Sequence, residues 1–416
     1  MPYPKILAMV MAGGEGSRLY PLTVQRSKPS VPFGGRYRIV DFVISNLVNS
    51  GIYAIYLLVQ YKSQSLIEHV NHAWAFSHIL PDQFVTVVPP QMREGPEWFQ
   101  GTADAVRQNR NLIAIHRPDL VAVFGADHIY RMDLRQMVRF HRDQRAQVSV
   151  AALPVPVASA HEFGIITADG AGRVTDFKEK PAQPAPMPDR PDYAYASMGN
   201  YLFDTELLLE ALEETERRGE SDFGRHMLPR LIADGRCRVC AYNFSQNQVP
   251  GVRAYEDAAY WRDVGTVDAY FAANMDTLGA EPRFNAFNPR WPITSSNYQG
   301  PSARFADARV KNSLVGDGTM VKGATIRNSI VRREVMIEED VHIDSSIVMD
   351  YVVIRKGARL HRVIVDRFNE IPAGMRIGYD RAADEQAGFH VTPSGIAVIA
   401  RGNAGRTGFY DQRSWP

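Results

Sequence analysis

At 416 residues, with 22% charged and 45% hydrophobic side chains, the chain has the make-up of a soluble globular protein too long for one typical domain. Lys+Arg 47 against Asp+Glu 46 leaves a formal charge of +1, which excludes a global polyanion-binding surface and speaks against a nucleic-acid partner. No apolar run approaches the ~20 residues of a membrane span and the N-terminus lacks the pattern of a secretory signal, so neither membrane nor export is expected and the expected compartment is the cytoplasm.

Residues 6–11 (ILAMVM) read as a buried strand running into Ala12, Gly13, Gly14, Glu15, Gly16, Ser17 and Arg18, with Lys28 and Pro29 following. Glycines let backbone N–H groups approach phosphate oxygens, and Arg18 and Lys28 would neutralise their charge. The same glycines also suit a tight turn with surface charges. The loop is not a P-loop, since no Gly-Lys-Ser/Thr stands at the required spacing, and it is not a clean G-x-G-x-x-G.

Further strands are expected at 53–59, 84–88, 120–124 and 148–153, alternating with helices near 40–50, 63–73, 102–115 and 133–144. This rhythm predicts a predominantly parallel, Rossmann-like α/β sheet covered on both faces, with ligands at the carboxyl ends of the strands. From FGIITAD and GRVTDFKEKP onward the pattern turns more antiparallel, with Asp-Gly in a hairpin turn. The proline-rich 181–192 reads as an exposed loop, and helices are expected near 205–215, 223–234 and 267–278.

Cys237 and Cys240 are the only cysteines. On an alternating strand they would face opposite sides, and no second pair exists to complete a metal site. His69 and His72, on an amphipathic helix, read as a surface pair.

After about residue 280 the composition changes. Val310, Val315, Val321, Ile326, Val331, Ile337, Ile343, Val348, Ile354, Leu360, Val365, Ile371 and Ile377 recur every five or six residues. That period fits a stacked parallel β-helix, in which each coil buries its apolar face only against its neighbours. The expected division is 1–280 catalytic domain, 281–305 linker and 306–416 β-helix, with a cap or tail after about 380.

Four clusters beyond the first loop combine charge with glycine or an aromatic ring: GTADAV at 101–106, GADHIY at 125–130, FKEKP at 177–181 and YWRDVGT at 260–266. Taken singly each fits surface charge or core. Taken together, GGEGSRLYPLT with Lys28-Pro29, FGGRYRIVDFVISN, GTADAV, FGADHIYRMD, EKP, SMGNYLF and YWRDVGT resemble the bacterial ADP-glucose pyrophosphorylases in order and spacing along essentially the whole chain. The first loop alone would mark only the wider sugar-phosphate nucleotidyltransferases; FGGRYRIVDFVISN and YWRDVGT narrow it.

The resemblance implies adenylyl transfer from ATP to glucose 1-phosphate, Mg²⁺ as cofactor, a left-handed β-helix and a homotetramer. It also implies regulation by sugar phosphates or nucleotides, and a place at the committed step of glycogen synthesis. It implies that Gly13, Gly14, Gly16, Gln60, Trp98, Gly101 and Thr102 hold the nucleotide, with Arg18 and Lys28 on its phosphates. Asp127 and Asp263 would hold the metal, and Arg18, Lys28 and Asp127 would be catalytic. Glu179, Lys180, Ser197, Tyr201, Asp222, Phe223 and Trp261 would form the sugar-phosphate pocket. Arg26 and Arg38 would take part in regulation, with Arg381 or Arg401 as partners across the domain boundary.

The residue types suit the chemistry. A phosphate is already a nucleophile, so positioning and charge neutralisation suffice and no general base is needed. Phe99, His226, Gln25 and Pro32 depart from the family pattern. Three alternatives stand beside this reading: a different base preference, a non-catalytic regulatory subunit, and an acyltransferase using His342 or His361 of the repeat.

Overall fold

The computed structural model describes residues 3–75, 82–92, 97–187 and 189–402; the expected tail beyond 402 lies outside the described residues. Its first half is built on a nine-stranded sheet. The strands, with one short ribbon strand, are β1 (Ile6–Ala12), β2 (Ala54–Val59), β3 (Phe84–Val88), β4 (Leu120–Gly125), the ribbon strand β5 (His128–Tyr130), β6 (Val148–Pro156), β7 (Gly164–Ala168), β8 (Val174–Glu179), β9 (Tyr193–Asp204) and β10 (Val239–Asn243). The order across the sheet is β8-β7-β9-β4-β1-β2-β3, with β6 beside β9 and β10 beside β6.

β3, β2, β1 and β4 are mutually parallel. Their residues are apolar on both faces because helices cover both sides. β9 runs antiparallel to β4, β6 and β7, so the sheet is mixed. The carboxyl ends of β1 and β4 lie side by side, with Met11 opposite Gly125. That places the glycine-rich loop next to the loop carrying Asp127.

Among the helices, α1 (Ile39–Asn49) and α2 (Gln64–Ala73) match expectation, but the helix expected over 102–115 is two, α3 (Thr102–Arg107) and α4 (Arg110–His116). Asn109 causes the break: its side chain donates back to the Ala105 carbonyl (2.8 Å), the competition with helix bonding that Asn offers. Only Cys240 lies on a strand; Cys237 precedes β10, and both are buried free thiols.

His69 is not a surface residue. Its Nε2 lies 2.6 Å from Asp41 Oδ1, and Asp41 also accepts from the Trp74 indole, the Arg38 backbone N–H and the Ser295 hydroxyl. The Asp41 carboxylate is fully buried, which favours its neutral form, yet His69 and these donors hold its pKa down. His72 remains exposed.

The second half is a three-sided parallel β-helix. Its sheets have five, five and six strands, with each coil paired to the next. The repeat residues stack in register, as in Val321, Ile337, Ile354 and Ile371. Those from Val321 onward are buried; Val315 is half-buried, and Val310, in the uncovered first coil, is 41% exposed. The six-residue period breaks after Ile377. The helix Arg381–Gln386 follows, and the strand Ala397–Ile399 pairs onto Val363–Val365 to close one side of the stack.

The two halves share one apolar cluster. Leu19, Leu22, Val31 and Phe33 pack with Ile347, Met349, Ile364, Ile396 and Val398. Inside it, Arg26 is buried and ion-paired with Asp366. Arg332, also buried, donates to Asp350 (2.9 Å) and to the carbonyls of Phe33, Gly34 and Tyr37. Burial alone would raise the Asp350 pKa, but Arg332, Arg367 and Arg333 outweigh it and hold it at about 2.

Removing one member of such a group strands the others. Arg332→Met is expected to lower stability by about 3 kcal/mol, at the low end for a broken buried pair because Arg367 still faces Asp350. Asp350 is depressed in the folded state, so its stabilising share is full above the usual carboxylate range and disappears as pH falls toward about 2. Thermal melting of wild type and variant across acid pH checks both: the gap between them should shrink as pH falls.

Candidate active site

Stretches distant in sequence meet over the carboxyl ends of β1 and β4, around a cavity of about 600 Å³. Gly13, Gly14 and Arg18 from the first loop line it. Gly16 does not; it has a left-handed φ of 68°, and a Cβ there would lie 3.0 Å from Lys28 Cβ and 3.2 Å from Thr23 Cγ2. Its part is to let the loop turn close over Lys28, with Thr23 donating to its carbonyl (2.9 Å). Lys62 in turn donates to the Thr23 carbonyl (3.0 Å), tying the loop to the segment after β2. Gln60, on that segment, lines the cavity. Trp98 does not line it; it stands exposed at the rim against Tyr61, ring centroids 5.6 Å apart.

Gly101 and Thr102 open α3. Thr102 donates to Asp222 (3.0 Å) and accepts from the Phe223 N–H (3.1 Å). Asp222 also accepts from the N–H groups of Gly224 and Arg225, so it braces the turn Phe223–Met227 as well as facing the cavity. His226 Nδ1 accepts from the N–H groups of Ser221 and Asp222 at 3.3 and 3.2 Å. The departure from the family pattern there therefore supports the backbone of Asp222.

The other wall carries Glu179, Lys180, Ser197, Tyr201 and Trp261, all lining the cavity. Gly164 and Gly224 flank Glu179 so closely that a Cβ on either would lie 2.9 Å from its Oε2. Burial raises the Glu179 pKa, opposed by Lys180 and reinforced by Asp222.

Where the walls meet, Lys28 Nζ donates to Asp127 Oδ2 (2.8 Å) and Asp263 Oδ1 (2.9 Å). Asp127 follows β4, and Asp263 ends a short strand, β11 (Trp261–Asp263), paired antiparallel with β5. Burial opposes the charge on Lys28 and Asp127. The pairing prevails: it holds Asp127 well below the usual carboxylate range and raises Lys28.

The fold agrees with comparison to known proteins. The nucleotidyl transferase model matches residues 7–279, and the GlmU-like C-terminal hexapeptide model matches 301–399. Proteins named glucose-1-phosphate adenylyltransferase are similar over nearly the whole chain. That of Thermodesulfovibrio yellowstonii is 54% identical over 96% of each chain. That of Thermus thermophilus is 47% identical over 96% of this chain and 98% of its own, and that of Deinococcus radiodurans 44% over 96% and 99%. The chain belongs to the glucose-1-phosphate adenylyltransferase family of nucleotidyl transferases.

Nucleotidyl transferases of this kind generally use a divalent metal. The donor set fits one: two carboxylates face a common point that the Lys28 ammonium now spans. Members that motif reading passed over are Tyr61, Phe163 and His128, all lining the cavity. His128 had a signal, since it follows Asp127 directly in GADHIY. Tyr61 and Phe163 had none, because only the folding of distant loops brings them here.

Of the arginines expected to take part in regulation, Arg26 is committed to Asp366, whereas Arg38 is half-buried and donates to Ser65 at the start of α2. Arg381 pairs with Glu385 on the surface; Arg401 is near enough to Arg367 and Arg26 to feel their charge.

A methyl group at the glycines separates folding from binding. At Gly14 a Cβ meets nothing within 4 Å, so Gly14→Ala should melt as wild type while weakening nucleotide binding. At Gly101 it would lie 2.4 Å from the Ser221 carbonyl oxygen. Gly101→Ala should therefore lose about 1–3 kcal/mol of stability as well. Thermal melting with nucleotide titration checks the contrast.

Proposed function

We propose that this chain transfers the adenylyl group of ATP to α-D-glucose 1-phosphate, forming ADP-glucose and pyrophosphate, with Mg²⁺ as the metal. The observation that carries this is the Lys28–Asp127–Asp263 cluster between a glycine-lined wall and a wall bearing Glu179 and Lys180.

On this reading Gly13 and Gly14 let the triphosphate lie against the backbone, and Arg18 and Lys28 neutralise it. Gln60, Gly101 and Thr102 bound the base and ribose, with Trp98 at the rim. Lys180 holds the sugar phosphate; Glu179, Ser197, Tyr201, Asp222, Phe223 and Trp261 bound the glucose ring. A sugar-phosphate oxygen attacks the α-phosphorus in line and pyrophosphate leaves, which requires orientation and charge neutralisation and no protein base. Asp127 and Asp263 would hold Mg²⁺, which supplies charge stabilisation to the phosphates when bound; Lys28 then turns from the carboxylates to the nucleotide.

The product suits glycogen synthesis, and we assign the protein to the cytoplasm. Among the described residues no helix is long and apolar enough to cross a membrane. The uncovered first coil, with Phe305 and Val310 exposed, supports packing into a homotetramer. Burial and the nearby Arg367 push the Arg38 guanidinium down to about 9, so an anionic sugar-phosphate or nucleotide effector would relieve the crowding at the domain boundary.

Pyrophosphate release is expected to need ATP and a divalent metal, and Asp127→Asn should slow it at least about 100-fold. The same assay, run with fructose 6-phosphate, fructose 1,6-bisphosphate, pyruvate, AMP and phosphate, reads out regulation. Equal or better use of UTP, CTP, GTP or dTTP would overturn the base assignment, and full activity of Asp127→Asn the catalytic one.

Glu179 supplies a pH signature. Its raised pKa means that it gains a proton earlier than an ordinary glutamate as pH falls. An ionised Glu179 accepts from sugar hydroxyls, so KM for glucose 1-phosphate should rise as pH drops through its raised pKa, with KM for ATP less affected. Glu179→Gln should show a high KM with that pH dependence removed.

A further inference from the structure

The cluster of Asp127 and Asp263 contains a third donor, His128. β5 and β11 pair so that His128 stands directly opposite Asp263. Cross-strand partners project from the same face, so the imidazole and the Asp263 carboxylate enter the cavity together. One donor atom from each of Asp127, His128 and Asp263 can be chosen so that all lie within 4.8 Å of one another. This spacing suits ligands of a single cation.

The ring is placed but not engaged. It packs on Trp261 with centroids 4.9 Å apart. Gly125 and Gly199 flank it: a Cβ at either would meet its Cε1 at ordinary contact distance, 3.6 and 4.0 Å. Its side chain is 14% exposed, yet Nδ1 is buried with no hydrogen-bond partner among the described residues. Nε2 stands 3.6 Å from Asp127 Oδ1, too far for a hydrogen bond. The buried Nδ1 without a partner carries a desolvation cost, and Nε2, on the carboxylate side of the ring, is the nitrogen left open toward Asp127. Beside two carboxylates bridged only by an ammonium, a divalent cation is that partner.

We infer that His128 is the third protein ligand of the divalent cation, through an imidazole nitrogen. The site is then a mixed nitrogen and oxygen set. Mg²⁺ favours oxygen donors, whereas imidazole suits later transition metals, so His128 shifts the site's preference toward ions such as Fe²⁺, Ni²⁺ or Zn²⁺. This rests on Asp127 and Asp263 being metal ligands.

The test uses the full-length protein, Mn²⁺ as probe and pyrophosphate, which supplies oxygen ligands and no nitrogen. Pulsed EPR of bound Mn²⁺ should show nitrogen modulation that changes on ¹⁵N-histidine labelling of the wild type, a readout that needs no variant. His128→Gln should abolish the modulation and weaken Mn²⁺ binding by about 10-fold or more, followed by the free-ion EPR signal. Mn²⁺ binding that is lost in Asp127→Asn and Asp263→Asn but insensitive to ¹⁵N-histidine would overturn the inference and leave the two-carboxylate site standing. Unchanged Mn²⁺ binding in both aspartate variants would overturn the metal assignment itself.

Discussion

Everything in the catalytic half converges on one ammonium group. Lys28, Asp127 and Asp263 come from the stretch after β1, the end of β4 and the last strand before the final helix of the domain. The buried Lys28 ammonium alone would be costly; the two partly exposed carboxylates neutralise it. The consequence is positional. Two carboxylates are held close together at the cavity floor, and the Lys28 ammonium occupies the point that both face.

The same loop is built into a second set of ion pairs. Two residues before Lys28, Arg26 is locked to Asp366 of the β-helix. A few residues after it, the carbonyls of Phe33, Gly34 and Tyr37 are gathered by Arg332, itself held by Asp350. Arg38 then reaches Ser65, and Lys62 returns to Thr23. The segment 23–38 is therefore clamped by the β-helix on one side and carries Lys28, paired with Asp127 and Asp263, on the other. A shift of the β-helix against this segment would move Lys28 and its two carboxylate partners.

Local patterns were legible where the physics is local. The β/α alternation, the strand-end loop and the hexad repeat each follow from side-chain periodicity. Gly13, Gly14, Arg18, Lys28 and Asp127 stood in short motifs with a chemical reason. What failed depended on partners far away. His69 looked like half of an exposed pair, since nothing in its helix shows that Asp41, Trp74 and Ser295 converge beside it. Gly16 shared a motif with two cavity glycines, but its positive φ assigns it to the turn. Trp98 sits in a loop whose path puts it at the rim.

By itself the chain's sequence determined the two architectures and the chemical character of the site, because burial periodicity and glycine-charge motifs act over a few residues. Only the tertiary structure decided which charges share a site. Asp263 becomes a partner of Asp127 because β11 pairs with β5, and that same register sets His128 beside both. Arg26 and Arg38, twelve positions apart on one segment, part company because only Arg26 finds a buried carboxylate. Electrostatic pairing is decided by distance in space, and the sequence carries that distance only through the fold.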